Sequence, residues 1–239
     1  MTPQPRPTKV VVVDDHSLFA ESLQIALEME GYSCKQAQVS RHPSLAALLA
    51  GLLRSRPHLV LLDLDLGAAG DATRMIEPLS QAGIAVVVVT GSADRLRWGE
   101  SLRHGARKVL SKSEPLEEIL ITIRRVVNGL PVLGREERDD LLRIWHDAQG
   151  EIQADRDRLR RLTAREAEVL GELMRGQTVA DIARRRFVSE ATVRTQVKAV
   201  LSKLDVSSQI AAVGLAHRAG WTAPPDGADP APSGVHQRW

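Results

Sequence analysis

The sequence predicts a doubly wound α/β domain with a five-stranded parallel sheet, followed by a small all-α domain of four helices. Two observations carry this prediction. Over residues 8–129, short runs of β-branched and leucine residues alternate with helical patterns, and from 161 onward the pattern is helical throughout. Charge changes along the same divisions. Residues 1–129 sum to a formal +1, residues 130–160 to −2, residues 161–221 to +4 and the tail from 222 to −1.

In order, the expected strands are Val10–Val13, Tyr32–Val39, His58–Leu62, Ile84–Val89 and Lys108–Leu110. Three are nearly unbroken apolar runs, as strands covered on both faces require. Helices are expected at 16–30, 43–53, 71–82, 94–104 and 115–128. Pro43 and Pro115 mark starts, and Gly31, Gly83, Gly105 and Gly129 mark stops. In the last of these, Leu116, Ile119, Leu120, Ile123, Val126 and Val127 form one stripe for burial on the sheet. Residues 130–160 read as a helical linker. In it Leu141, Trp145, Ala148, Ile152, Leu159 and Leu162 follow 4-3 spacing with Asp155 in the seam, which suits either a subunit-pairing helix or one packed on its own domain. In residues 161–221, Thr163 with Glu166 and Thr178 with Asp181 form capping boxes, Ser189 and Ser207 or Ser208 are N-caps, and Gly176 ends the first helix. Residues 1–7 and the Pro/Gly/Asp-rich tail, 222–239, are expected to be disordered.

Composition excludes several classes. Of 239 residues, 43% are hydrophobic and 26% charged, which suits a globular chain with real cores. No run approaches the ~18 consecutive apolar residues of a membrane span, and the N-terminus has no apolar signal core. The single cysteine, Cys34, rules out an internal disulfide, and the seven histidines show no ligand spacing. A cytoplasmic location without a membrane partner is expected.

Ligands of open α/β sheets gather at the carboxyl ends of the strands. Asp14 and Asp15 follow the first expected strand and Asp63 the third; Thr90 ends the fourth and Lys112 follows the fifth. Converging carboxylates repel one another unless a hard cation neutralises them, and magnesium with its oxygen ligands suits such a place. One carboxylate could then act as nucleophile toward a phosphoryl group, with the lysine and the hydroxyl stabilising its oxygens.

The segments VVVVDDHSLFAESL, LVLLDLDLG, IAVVVVTG and GARKVLSK resemble the signature regions of response-regulator receiver domains over residues 8–129. The resemblance implies that Asp63 accepts the phosphoryl group. It also implies that Asp15 and Asp63 ligate Mg2+, that Asp14 assists through water, and that the Asp65 backbone carbonyl completes the protein ligands. Thr90 would swing toward the phosphoryl group and Lys112 would pair with it. The Asp63-x-Asp65 pattern also resembles the nucleophile motif of haloacid-dehalogenase-type phosphatases. That family places its acidic pair last, whereas here the pair comes first, so order decides against an enzyme. Two departures stand out. Val109 occupies the usual place of an aromatic that turns inward on activation, and Leu66-Gly67 stands where Met-Pro is commoner, predicting a more mobile loop.

Residues 162–213, from LTAREAEVL through TVADIARRRFVSEATVRTQVKAVLSKLDVSS, resemble the LuxR-type (NarL-like) helix-turn-helix domain. Independently, Val193, Val197, Val200, Leu201 and Leu204 form a burial stripe, from which Arg194, Thr195 and Lys198 project. The resemblance makes these three the base-facing residues in the major groove and assigns Arg184, Arg185, Arg186, Gln196 and Lys203 to the DNA backbone. Gln209 stands where the family usually has arginine. The expected protein is a transcription regulator phosphorylated on Asp63 by a sensor histidine kinase, binding promoter half-sites of double-stranded DNA as a homodimer. The alternative is a DNA-binding regulator whose receiver is a constitutive dimerisation module.

Overall fold

The computed structural model describes residues 7–223, so the expected disorder of the two ends falls outside the described residues except at 7, 222 and 223. The first part runs β1 (Lys9–Val13), α1 (Ser17–Met29), β2 (Ser33–Ala37), α2 (Leu45–Ser55), β3 (Leu59–Leu62), α3 (Ile76–Gln81), β4 (Ala85–Thr90), α4 (Arg95–Arg103), β5 (Lys108–Ser111) and α5 (Leu116–Val127). All strand pairs are parallel, in the order β2-β1-β3-β4-β5. The doubly wound sheet is thus as expected. Alternation along the strands feeds two cores. Val60, Leu62, Val86 and Val88 join α2 and α3 on one face, while Leu59, Leu61, Val87 and Val89 join α1 and α5 on the other. Burial on both faces explains the unbroken apolar runs. Cys34 lies in the second core, where burial, then the charge of Glu28, pushes its thiol up to about 11.

Local chemistry fixes most boundaries. All four stop glycines adopt positive φ. The second helix starts two residues later than Pro43 suggests, because Ser44 is its N-cap and its hydroxyl accepts the Ala47 amide at 3.2 Å. The second strand is shorter than expected, ending at Ala37 before a 3-10 turn at Val39–Arg41. The helix expected at 71–82 is α-helical only from Ile76. Upstream, Asp71 holds the Thr73 amide at 2.8 Å and its hydroxyl at 2.6 Å, and residues Thr73–Met75 form a tight 3-10 turn.

The remainder is helical: α6 (Arg135–Leu159), α7 (Ala164–Met174), α8 (Val179–Arg186), α9 (Glu190–Leu204) and α10 (Gln209–Arg218). The chain forms two compact units that divide within α6, after His146. Three positions of the 4-3 seam, Leu141, Asp155 and Leu159, are buried within their own unit. Leu141 is buried in the core beside Leu102 and Val109; Leu159 is buried with Leu170, Val200 and Leu215; and Asp155 is buried against Arg158 and Arg218, each at 3.1 Å. Both capping boxes form, and Ser189 and Ser208 cap α9 and α10. Val193, Val197, Val200 and Leu204 are buried as the stripe predicts.

Candidate functional site

Four side chains meet at the carboxyl ends of β1, β3 and β5. Asp14 and Asp63 are buried at the tips of neighbouring strands, and Lys112, one residue beyond β5, reaches between them. Its Nζ donates to Asp63 Oδ2 at 2.6 Å and to Asp14 Oδ1 at 2.8 Å. Asp15, more exposed, closes the group. Together Asp14, Asp15, His16 and Asp63 offer ligand atoms within 4.8 Å of one another. Burial lifts the Asp63 carboxyl above the ordinary carboxylate value, against the downward pull of Lys112. Lys112 loses stability as a cation through desolvation, yet its bonds to Asp14 and Asp63 outweigh that and raise its pKa. Asp14 and Asp15 open onto a cleft of about 1050 Å³, also lined by Gln38, His42 and Leu66.

The flanking segments hold this group in place. Asp65, two residues after Asp63, donates its amide to Asp63 Oδ1 at 3.3 Å and bridges antiparallel to Asp71. Its carboxylate is gripped by both Arg97 contacts, at 2.9 and 3.0 Å, and Arg97 also reaches Asp71 at 3.3 Å. The loop expected to be mobile is therefore braced. Gly67 in it has φ +55°, which a proline could not adopt, and a Cβ there would lie 2.6 Å from Asp15 Oδ2. Thr90 is fully buried at the end of β4, where its hydroxyl accepts the Ser92 amide at 3.2 Å and its carbonyl accepts the Lys112 amide at 2.8 Å. Val109 is buried without a ring to turn. Sequence reasoning missed His16, whose Nδ1 lies 2.9 Å from Asp15, and Arg97. His16 was signalled by its place directly after the acidic pair; Arg97 had no local signal.

In the second unit, Arg194, Thr195 and Lys198 are exposed side by side on α9, opposite its buried stripe. Arg194 pairs with Glu190 one turn earlier at 2.6 Å. Of the five residues assigned to the DNA backbone, Arg184 and Arg185 are exposed cations, paired with Asp181 and with Glu172 respectively. The other three are drawn into the fold. Lys203 donates to Glu166 at 2.6 Å, Arg186 pairs with Glu168 at 3.1 Å, and Gln196 is half-buried with its Oε1 facing inward.

Comparison with known proteins matches both units. Residues 10–124 fit the family described as response regulator receiver domain, and residues 160–216 fit bacterial regulatory proteins of the luxR family. The probable transcriptional regulatory protein NarL of Mycobacterium tuberculosis is 29% identical over 218 residues, covering 90% of this chain and 96% of that protein. LiaR of Bacillus subtilis is 29% identical over 214 residues, covering 88% and 97%. The structure of RcsB from Salmonella enterica serovar Typhimurium bound to a promoter in the presence of BeF3− covers 89% of this chain and 99% of that one, at 21% identity and a TM-score of 0.48. The chain belongs to the two-component response regulators of the NarL/LuxR type, in which a receiver domain is joined to a LuxR-type helix-turn-helix DNA-binding domain.

Proposed function

We propose that Asp63 is the phosphoryl acceptor and that a sensor histidine kinase is the donor. The observation carrying this is the buried Asp63 carboxylate, held by Lys112 beside Asp14 and Asp15, the latter two of which line an open cleft. An Asp63 oxygen forms the new P–O bond as the P–N bond to the donor imidazole breaks, and that ring leaves with a proton. Lys112, already on Asp63 Oδ2, stabilises the incoming oxygens, and the Thr90 hydroxyl is the second donor for them. The carboxylate oxygens of Asp14, Asp15 and Asp63 lie within 4.8 Å of one another and are hard donors that fit Mg2+, with the Asp65 carbonyl as the further protein ligand the reading assigns. When bound, that ion supplies the positive charge the clustered acids and the phosphoryl oxygens both need. The chain holds the phosphate to change state, and turnover is not its role. Leu18, Ile25 and Met29, exposed along α1, which starts just after the acidic pair, give the donor protein an apolar surface on which to dock.

Arg194, Thr195 and Lys198 read base edges, and Arg184 and Arg185 hold phosphates. A net +4 over residues 161–221 is small, so one copy binds DNA weakly and two copies on adjacent half-sites supply the affinity. On this reading the protein works in the cytoplasm, and on the nucleoid when bound. The test is incubation with acetyl phosphate and Mg2+, followed by intact-mass measurement and promoter titration. One phosphoryl adduct, lost in Asp63→Asn, together with tighter promoter binding is expected. No adduct overturns the acceptor assignment, and an adduct with unchanged affinity shifts the reading to constitutive dimerisation.

A further inference from the structure

Helix α4 touches both sides of the acceptor site and also the start of α6. On the site side, Trp98 donates its indole N–H to the Ser92 carbonyl at 2.9 Å, and the Ser92 amide in turn bonds the Thr90 hydroxyl at 3.2 Å. Arg97, its neighbour, grips Asp65 and Asp71 on the acceptor loop. On its other side, α4 presents Gly99, buried against α6 so closely that a Cβ would overlap the Leu141 carbonyl oxygen and meet Trp145 Cβ at 3.1 Å. Two further contacts frame this approach: Arg95 pairs with Asp140 at 2.5 Å, and the Arg103 guanidinium lies 5.7 Å from the Trp145 ring centre. Meanwhile Val109, buried in the same core as Leu102 and Leu141, has no ring to move.

We propose that Trp98 is a positioning residue that carries the state of Thr90 through α4 to the α6 segment 135–146, replacing a mobile aromatic on β5. The inference rests on Asp63 being the acceptor. A phosphoryl group there draws the Thr90 hydroxyl toward it as a donor, which withdraws the acceptor that holds the Ser92 amide. Released at its amide, the backbone of Ser92 then rotates, and the carbonyl on the far side of its Cα leaves the Trp98 indole. Freed from that bond, Trp98 and the helix that carries it shift, and the Gly99–Leu141 approach tolerates no displacement without loosening. Packed contacts of this kind transmit small shifts because they have discrete arrangements.

The test is hydrogen exchange on the full chain with Mg2+, with and without beryllofluoride. In the wild type, beryllofluoride protects the amides around Asp63 and speeds exchange in residues 135–146 several-fold. Trp98→Phe keeps the ring but not the donor; it should retain protection around Asp63 and lose the response in 135–146. Gly99→Ala should raise exchange in 135–146 without beryllofluoride. Site protection with unchanged α6 exchange in the wild type overturns the proposal, as does a full α6 response in Trp98→Phe or a silent Gly99→Ala. No protection around Asp63 in the wild type removes the acceptor reading and the relay with it.

Discussion

Phe187, which closes α8, holds a left-handed backbone at φ +54° with its ring 96% exposed. A side chain at that conformation costs about 1–2 kcal/mol, and the exposed ring recovers none of it by burial. Phe187→Gly should therefore raise the thermal midpoint of the second unit by a few degrees, measured by differential scanning calorimetry. Glu166 shows the opposite economy. Desolvation penalises its charge, but Lys203 and the Thr163 amide and hydroxyl more than compensate, holding its pKa below the ordinary glutamate value. A depressed carboxylate adds stability above its unfolded pKa of about 4.3 and loses it as pH falls through the folded value. Glu166→Gln should cost about 2 kcal/mol at neutral pH. The gap from the wild type should narrow as the pH drops below about 4, as urea titrations at the two pH values would reveal.

Among the elements, α9 makes the sharpest claim. Arg194 stands on its exposed face while Arg185 lies on α8, so their truncations should differ in kind. Arg194→Ala should relax preference at one base position, costing about 1–3 kcal/mol on the cognate site, and Arg185→Ala should weaken cognate and scrambled DNA alike. Fluorescence anisotropy against both duplexes separates the two. Where chemistry is local, these elements could be read from sequence. Capping boxes, glycine stops and the buried α9 stripe depend on residues within one or two turns of each other. The helix ends at Arg56, Phe187 and Asp205 could not be, since each takes a left-handed conformation without glycine. The same divide runs through the site. That Asp14, Asp15, Asp63 and Lys112 come together is legible because each follows the end of a strand and parallel strands end together. Arg97 and Trp98 are not, because their partners are set by where α4 lies rather than by spacing; Asp65 is 32 residues from Arg97.

At the scale of the whole molecule, two units with separate cores share one chain, and α6 contributes Leu141 to one core and Leu159 to another. Independent cores predict independent melting. Calorimetry of the full chain should resolve two transitions, and Mg2+ with beryllofluoride should raise only the one belonging to the first unit, because a ligand stabilises what it binds. A single transition, shifted as one, would show that the units unfold together.

The solitary thiol at Cys34 has a practical corollary. Sealed inside the sheet's second face and hard to ionise, it will scarcely react with maleimides. A cysteine engineered on the surface of either half will then take a dye or spin label without any background to delete. Paired labels, one per half, turn the spacing between the signalling and gene-binding portions into a quantity that can be followed as acetyl phosphate is added.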